Sequence, residues 1–133
     1  MTNPNKFVRK AIYDAVKATF PCYDMQVPGN VAPGQYVILS SQNKEIDKAN
    51  KCQYRWVSYT LIEMIVIYNG SGNTGSRVAN DDMENTVLGL IENLVVPGYE
   101  VVNTVYEFPQ NQETITTTQI ANRNFIRLAL TLK

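Results

Sequence analysis

Three glycines, Gly70, Gly72 and Gly75, stand at the spacing G-x-G-x-x-G directly after the apolar run Ile62-Glu63-Met64-Ile65-Val66-Ile67-Tyr68. That spacing lets a backbone turn closely around a pyrophosphate, provided a strand precedes it and a helix opens at once. Ser76-Arg77-Val78-Ala79-Asn80 read as continued loop, so the helix is expected to start too late for its N-terminus to meet a phosphate. Gly70 and Gly75 also enclose four residues as a Walker A loop does, but Ser76-Arg77 occupy the places where Lys and then Ser or Thr are required. The phosphate-contacting lysine is missing. Residues 70–79 are therefore read as a flexible strand-to-helix connection, with glycines accepting positive φ and leaving room for a neighbouring subunit.

Other chemistries have thinner support. The chain contains no histidine, which removes the commonest general base and metal ligand. Cys22 and Cys52 form no C-x-x-C pair and read as ordinary reduced thiols. Asp81-Asp82 could hold a divalent cation, but adjacent carboxylates at a helix start are more simply N-terminal charge. Glu63, the only acid in the long strand, has no evident partner for carboxylate-pair catalysis. Arg123, Phe125 and Arg127 share one face of the last strand and could touch a nucleic acid backbone, against the simpler reading of a solvent face with long side chains. We expect no catalytic residues, no cofactor and no metal. Of the eight tyrosines, Tyr54, Tyr99 and Tyr106 fall near strand ends, where an apolar ring with a polar tip suits an interface or the rim of a core.

The totals agree with a non-catalytic part. At 133 residues the chain is the size of a single domain, 1–133, able to bury roughly 70% of its unfolded surface. Twelve basic and twelve acidic side chains cancel, which removes a global electrostatic case for nucleic acid or an anionic membrane. Locally they do not: Lys6, Arg9, Lys10 and Lys17 outweigh Asp14, whereas Asp81, Asp82, Glu84, Glu92 and Glu100 outweigh Arg77. Such separation suits subunits that meet unlike surface to unlike surface, or two solvated helix faces. The N-terminal segment is interrupted by charge every few residues, unlike a signal peptide, and no segment has the length of a membrane span.

These residues need elements to position them. Thr2 or Asn3 can cap a helix with Pro4 in its first turn, and Phe7, Val8, Ala11, Ile12, Ala15, Val16 and Phe20 form an apolar stripe that should run to Phe20, before Pro21. A Pro- and Gly-rich stretch follows, read as loop with at most a brief strand. Tyr36–Ser40 is the first central strand, and the polar stretch from Gln42 to Lys51 is read as exposed. Residues 53–69 form the longest strand, with one polar face early and two apolar faces late. Asn80 or Asp81 should cap a second helix with Asp81, Asp82 and Glu84 in its first turn. Its buried stripe is Met83, Val87, Leu90, Ile91 and Leu94, ended by Pro97-Gly98, so Leu90→Asp is expected to unfold the domain. Tyr99 to Phe108 is a third strand. Residues at about 109–122 form a polar hairpin or arm that orders against a neighbour, and the last strand turns Asn124, Ile126, Leu128, Leu130 and Leu132 inward. The class is α+β: an antiparallel sheet of about four strands with two helices packed on one face.

The whole pattern resembles the tail-terminator or tail-completion proteins of tailed bacteriophages and their relatives among neck and head–tail connector rings. The likeness lies in the amphipathic N-terminal helix, the passage YDMQVPGNVAPGQYVILS with its Tyr-Asp-x-x-Val-Pro turn and Tyr-Val-x-Leu strand, and the long strand before a Gly-rich loop. It continues through a helix ending near PGYEV and a final strand in which Arg123 and Arg127 precede alternating leucines. The resemblance implies a virion protein at the head–tail interface or in the tail, assembled in the host cytoplasm. It would form a homo-oligomeric ring, of six subunits at most tail ends and twelve in some necks, against portal or connector proteins and tail proteins, without turnover and without membrane. Contact with DNA in the lumen is left open. On this reading the interface residues are Arg77, Tyr106, Phe108, Gln110, Gln112, Thr116, Thr118, Arg123 and Arg127. The competing classes are a nucleic-acid-binding or other non-catalytic adaptor and a small nucleotide-binding enzyme.

Overall fold

A computed structural model describes residues 3–24, 34–47, 55–69, 76–115 and 119–133. The element order is α1 (Asn5–Val16), β1 (Cys22–Asp24), β2 (Gln35–Asp47), β3 (Arg55–Asn69), α2 (Ser76–Ile91), β4 (Val101–Glu107), β5 (Gln112–Ile115) and β6 (Gln119–Leu132). The strands form one sheet in the order β1-β2-β3-β6-β4, with β5 paired to β6 beyond the end of β4.

The α+β class with both helices on one face is as expected, but the described sheet has six strands rather than about four. The two additions are short: β1, with three residues, is the brief strand allowed for after α1, and it pairs parallel to β2, so the sheet is not purely antiparallel. β5, with four residues, turns the polar arm into a hairpin on β6. β4 runs in the same direction as β3 with antiparallel β6 between them, which makes β3-α2-β4 a split βαβ unit.

The core lies between the sheet and the helices. Even-numbered residues of β3 and β6, among them Ile62, Met64, Ile126, Leu128, Leu130 and Leu132, meet Val8, Ile12 and Val16 of α1 and Met83, Val87 and Ile91 of α2. Each such side chain contributes about 1.5–3 kcal/mol of burial. The opposite face carries a smaller cluster of Tyr36, Ile38 and Ile65, with Tyr23 set edge-on to Tyr36 at 6.1 Å between ring centroids. The apolar late half of β3 is thus buried on both sides. Its early half buries the polar side: Ser58 and Thr60 face the helices, where Ser58 Oγ bonds Asn5 Oδ1 at 2.8 Å.

Several boundaries move. α1 has Pro4 at its N-cap rather than in its first turn and no side-chain cap there, although the Asn5 N–H donates to Asn3 Oδ1 at 3.0 Å; it ends at Val16, and the amides of Thr19 and Phe20 close a turn onto the Val16 carbonyl. The turn spends the four residues before Pro21 on reversing direction. β2 does not stop at Ser40. A bulge at Ser40-Ser41 lets it continue through Gln42–Asp47 against Thr60–Arg55 of β3, so the polar stretch is a strand through its backbone pairing. α2 begins at Ser76, which puts no acid in its first turn and leaves Asn80 buried within the helix rather than capping it. It ends at Ile91, before Pro97-Gly98. That pair instead makes a turn into β4, with Gly98 at φ +83° and the Tyr99 amide on the Val96 carbonyl at 3.1 Å.

Residues at one height across the sheet can be read in rows. Ile46, Trp56, Leu132 and Val101 form one; Lys44, Ser58, Leu130 and Thr104 another; Asn43, Tyr59, Ala129 and Val105 a third. β4 therefore lies level with the second half of β2, at the other margin of the sheet.

Candidate interface surfaces

The helix that follows the glycine run opens directly at Ser76, earlier than expected. The late-helix argument against a phosphate loop therefore falls. The remaining arguments concern the frame: β3 is flanked on both sides by antiparallel strands, whereas a dinucleotide site uses the carboxyl ends of a doubly wound parallel sheet. Arg77, standing near the place of the phosphate lysine, is committed elsewhere. Its guanidinium meets Glu113 Oε2 of β5 at 2.6 Å, and that bond keeps its pKa raised. Gly70 to Gly75 lie outside the described residues.

Arg77 and Glu113 bridge α2 and the β5–β6 hairpin over a polar cleft of about 360 Å³ that Gln110 and Gln112 also line. Its floor is a chain of amides with a fixed direction. Asp81 can only accept, so Asn124 turns its NH₂ to Asp81 Oδ1 (3.2 Å) and its oxygen to Asn80 Nδ2 (3.2 Å). Asn80 Oδ1 then ends the chain with no partner among the described residues. Burial, with Asp81 adding to it, also raises the Glu84 pKa. The hairpin is thus tied to its own chain through β6 and Arg77.

On the sheet face away from the helices the two arginines of β6 are each matched by a carboxylate. Arg123 Nη1 is 3.3 Å from Glu63 Oε1, and Arg127 Nη1 is 3.6 Å from Glu107 Oε2. Glu63 therefore has a partner after all. The pairing was invisible in the sequence because it depends on the β3–β6 register, which sets Glu63 opposite Phe125 and diagonal to Arg123. Phe125 shares that face and is buried, although its place in the alternation pointed outward.

The remaining sequence-derived candidates scatter. Tyr106 lies on the helix side of β4, half-buried against the core, where burial and then Glu92 raise its hydroxyl pKa. Phe108 is 55% exposed just beyond β4. Thr116 and Thr118 lie outside the described residues, as do Cys52 and Tyr54. Tyr99 packs on Phe7 at 6.1 Å and covers the rim of the core. The basic and acidic segments are not at opposite poles, because α1 and α2 lie side by side on the same face, with Lys6 and Lys10 along a groove of about 560 Å³ floored by Phe7 and Leu94. Sequence reasoning missed the open second half of β2, whose polar residues gave no alternation to find.

No family model matches the chain, and no curated protein sequence does. A solved structure does: a chain from the virion of a native gene transfer agent particle superposes with a TM-score of 0.69, over 98% of this chain and 99% of that one, at 16% identity. The likeness is one of fold. It takes in the whole domain, helices and sheet together. Among the described residues no helix is long and apolar enough to cross a membrane.

Proposed function

We propose that the protein is a structural subunit of a phage-like virion, forming a ring at the head–tail neck or at the tail terminus. The observation that carries this reading is the end-to-end superposition on a chain of a virion particle. The sequence resemblance to tail-terminator and neck proteins points the same way from independent features. The subunit has its own core, so it can wait as a monomer and assemble when a matching rim offers enough contacts. Its partners are copies of itself, portal or connector proteins and tail proteins. Its work is contact rather than turnover. The polar face built from Arg77, Gln110 and Gln112, together with exposed Phe108 and with Thr116 and Thr118, is the proposed docking region. Arg123, Arg127 and Tyr106, expected at the interface from the sequence, are engaged within the subunit, the arginines with Glu63 and Glu107 and Tyr106 with the core. Ring closure is heterologous, one face meeting a different face of the neighbour.

Light scattering of the concentrated protein, with negative-stain images, tests this. Closed rings of one size, or rings appearing only on addition of virion rims, are expected. A strict monomer at every concentration that is also inert toward virion parts overturns the proposal.

A further inference from the structure

The two margins of the sheet match each other. β1 covers β2 only at Val37–Leu39, and among the described residues no strand pairs with the outer edge of Gln42–Asp47. At the far margin β4 pairs with β6 on one side and with no described strand on the other. An open edge offers a row of unpaired N–H and C=O groups. These two stretches are six and seven residues long in the described strands. They stand at the same height, because the rows of the sheet carry Ile46 across to Val101, Lys44 to Thr104 and Asn43 to Val105. They also run in opposite directions, since β2 and β6 are parallel to each other and β4 opposes both.

We infer that β4 of one subunit pairs antiparallel with the second half of β2 of the next, so that the sheet continues from copy to copy. The occupant of each edge is a second copy because only a copy brings the complementary edge at the same level. Rotation about an axis along the strands keeps every strand direction, and then β4 meets β2 in the antiparallel sense used by the long pairings of the sheet. Neighbours in the continued rows are compatible. Val105 falls beside Asn43, Asn103 beside Glu45, Thr104 beside Lys44, and exposed Ile46 beside Val101 and Val102. The one like-charge meeting, Asp47 with Glu100, has Arg55 and Lys133 next along the same row. Lys44 and Glu45, both exposed, hold off indiscriminate pairing of the edge. This inference rests on the ring reading and specifies its contact.

The test places both partners in one chain: Asn43→Cys and Val105→Cys, with Cys52→Ser to remove background, oxidised at high concentration. Within a subunit the two positions are three strand spacings apart, roughly 14 Å, too far for a disulfide. Edge pairing predicts a ladder of covalent multimers, and none with Val78→Cys in place of Val105→Cys, Val78 being exposed on α2. A product that stops at dimers overturns the head-to-tail contact. Oligomers that form without the ladder overturn the edge pairing and leave the ring standing. A monomer with no ladder at any concentration, with virion rims added as well as without them, overturns both.

Discussion

At the scale of single residues the most telling group is Cys22, 8% exposed where β1 meets the core. Burial first, and then Asp24, pushes its thiol up to about 11 from an ordinary value of 9.0. The folded chain thus holds this proton more tightly than the unfolded chain. Its contribution is complete below pH 9 and is lost as pH rises towards 11, by about 1.4 kcal/mol per unit at the steepest. Urea unfolding followed across pH 8–11 should show that decline, and Cys22→Ala should flatten it. The two β6 arginines give a second contrast. Glu63 keeps only 14% of its side chain exposed, whereas Glu107 keeps 59%. Arg123→Ala strands an enclosed carboxylate and should cost about 1–3 kcal/mol. Arg127→Ala breaks a solvated pair, worth about 0–1 kcal/mol. Equal shifts in the urea midpoint would contradict this account.

At the scale of elements, α2 carries the clearest prediction. Its buried apolar positions are Met83, Val87 and Ile91, while Leu90 borders the groove towards α1 and remains partly exposed. Val87→Asp sets a charge into the core and should cost about 4 kcal/mol or more. Leu90→Asp should leave the domain folded, correcting the expectation from the stripe alone, and circular dichroism melts of the two variants separate the cases. The error is instructive: residues i, i+3 and i+4 all look apolar in sequence, but the angle at which a helix lies on a sheet decides which of them go under. Strong periodicity made α1, β3, α2, β4 and β6 legible. The second half of β2, β5 and the first turn of α2 were not, since Asn43-Lys44-Glu45, Gln112-Glu113-Thr114 and Ser76-Arg77 owe their order to backbone pairing or to contacts with distant segments. For the same reason the Arg123–Glu63, Arg127–Glu107 and Arg77–Glu113 pairs, each closed by tertiary structure, could not be read from composition.

For the whole molecule, the division of labour is between a core that is complete within one subunit and two sheet margins whose outer edges no described strand pairs. The helices and the inner face of the sheet need no neighbour, because Ile62, Leu128, Val87 and Ile12 lose essentially all contact with solvent within the single chain. The edges are a different matter. A continuous sheet around a ring would place the helices of every copy on one side of the wall and the paired arginines on the other. The proposed lumen or outer skin is then nearly neutral on the β6 arginine face, since Arg123 and Arg127 each bring a carboxylate with them.

The position of β6 in the chain has one more effect. This strand is the axle of the sheet, yet it follows β3 only after α2, β4 and β5 have intervened, and it zips to β3 from Trp56 through Asn69. A nascent chain must therefore carry paired β2 and β3 with one long flank of β3 bare until β6 emerges from the ribosome. Distant pairing of this kind slows folding to the millisecond-to-second range. Throughout that interval the flank of β3 is an unpaired edge of the kind that templates association with other chains, so synthesis at high local concentration is a stress built into this order of strands.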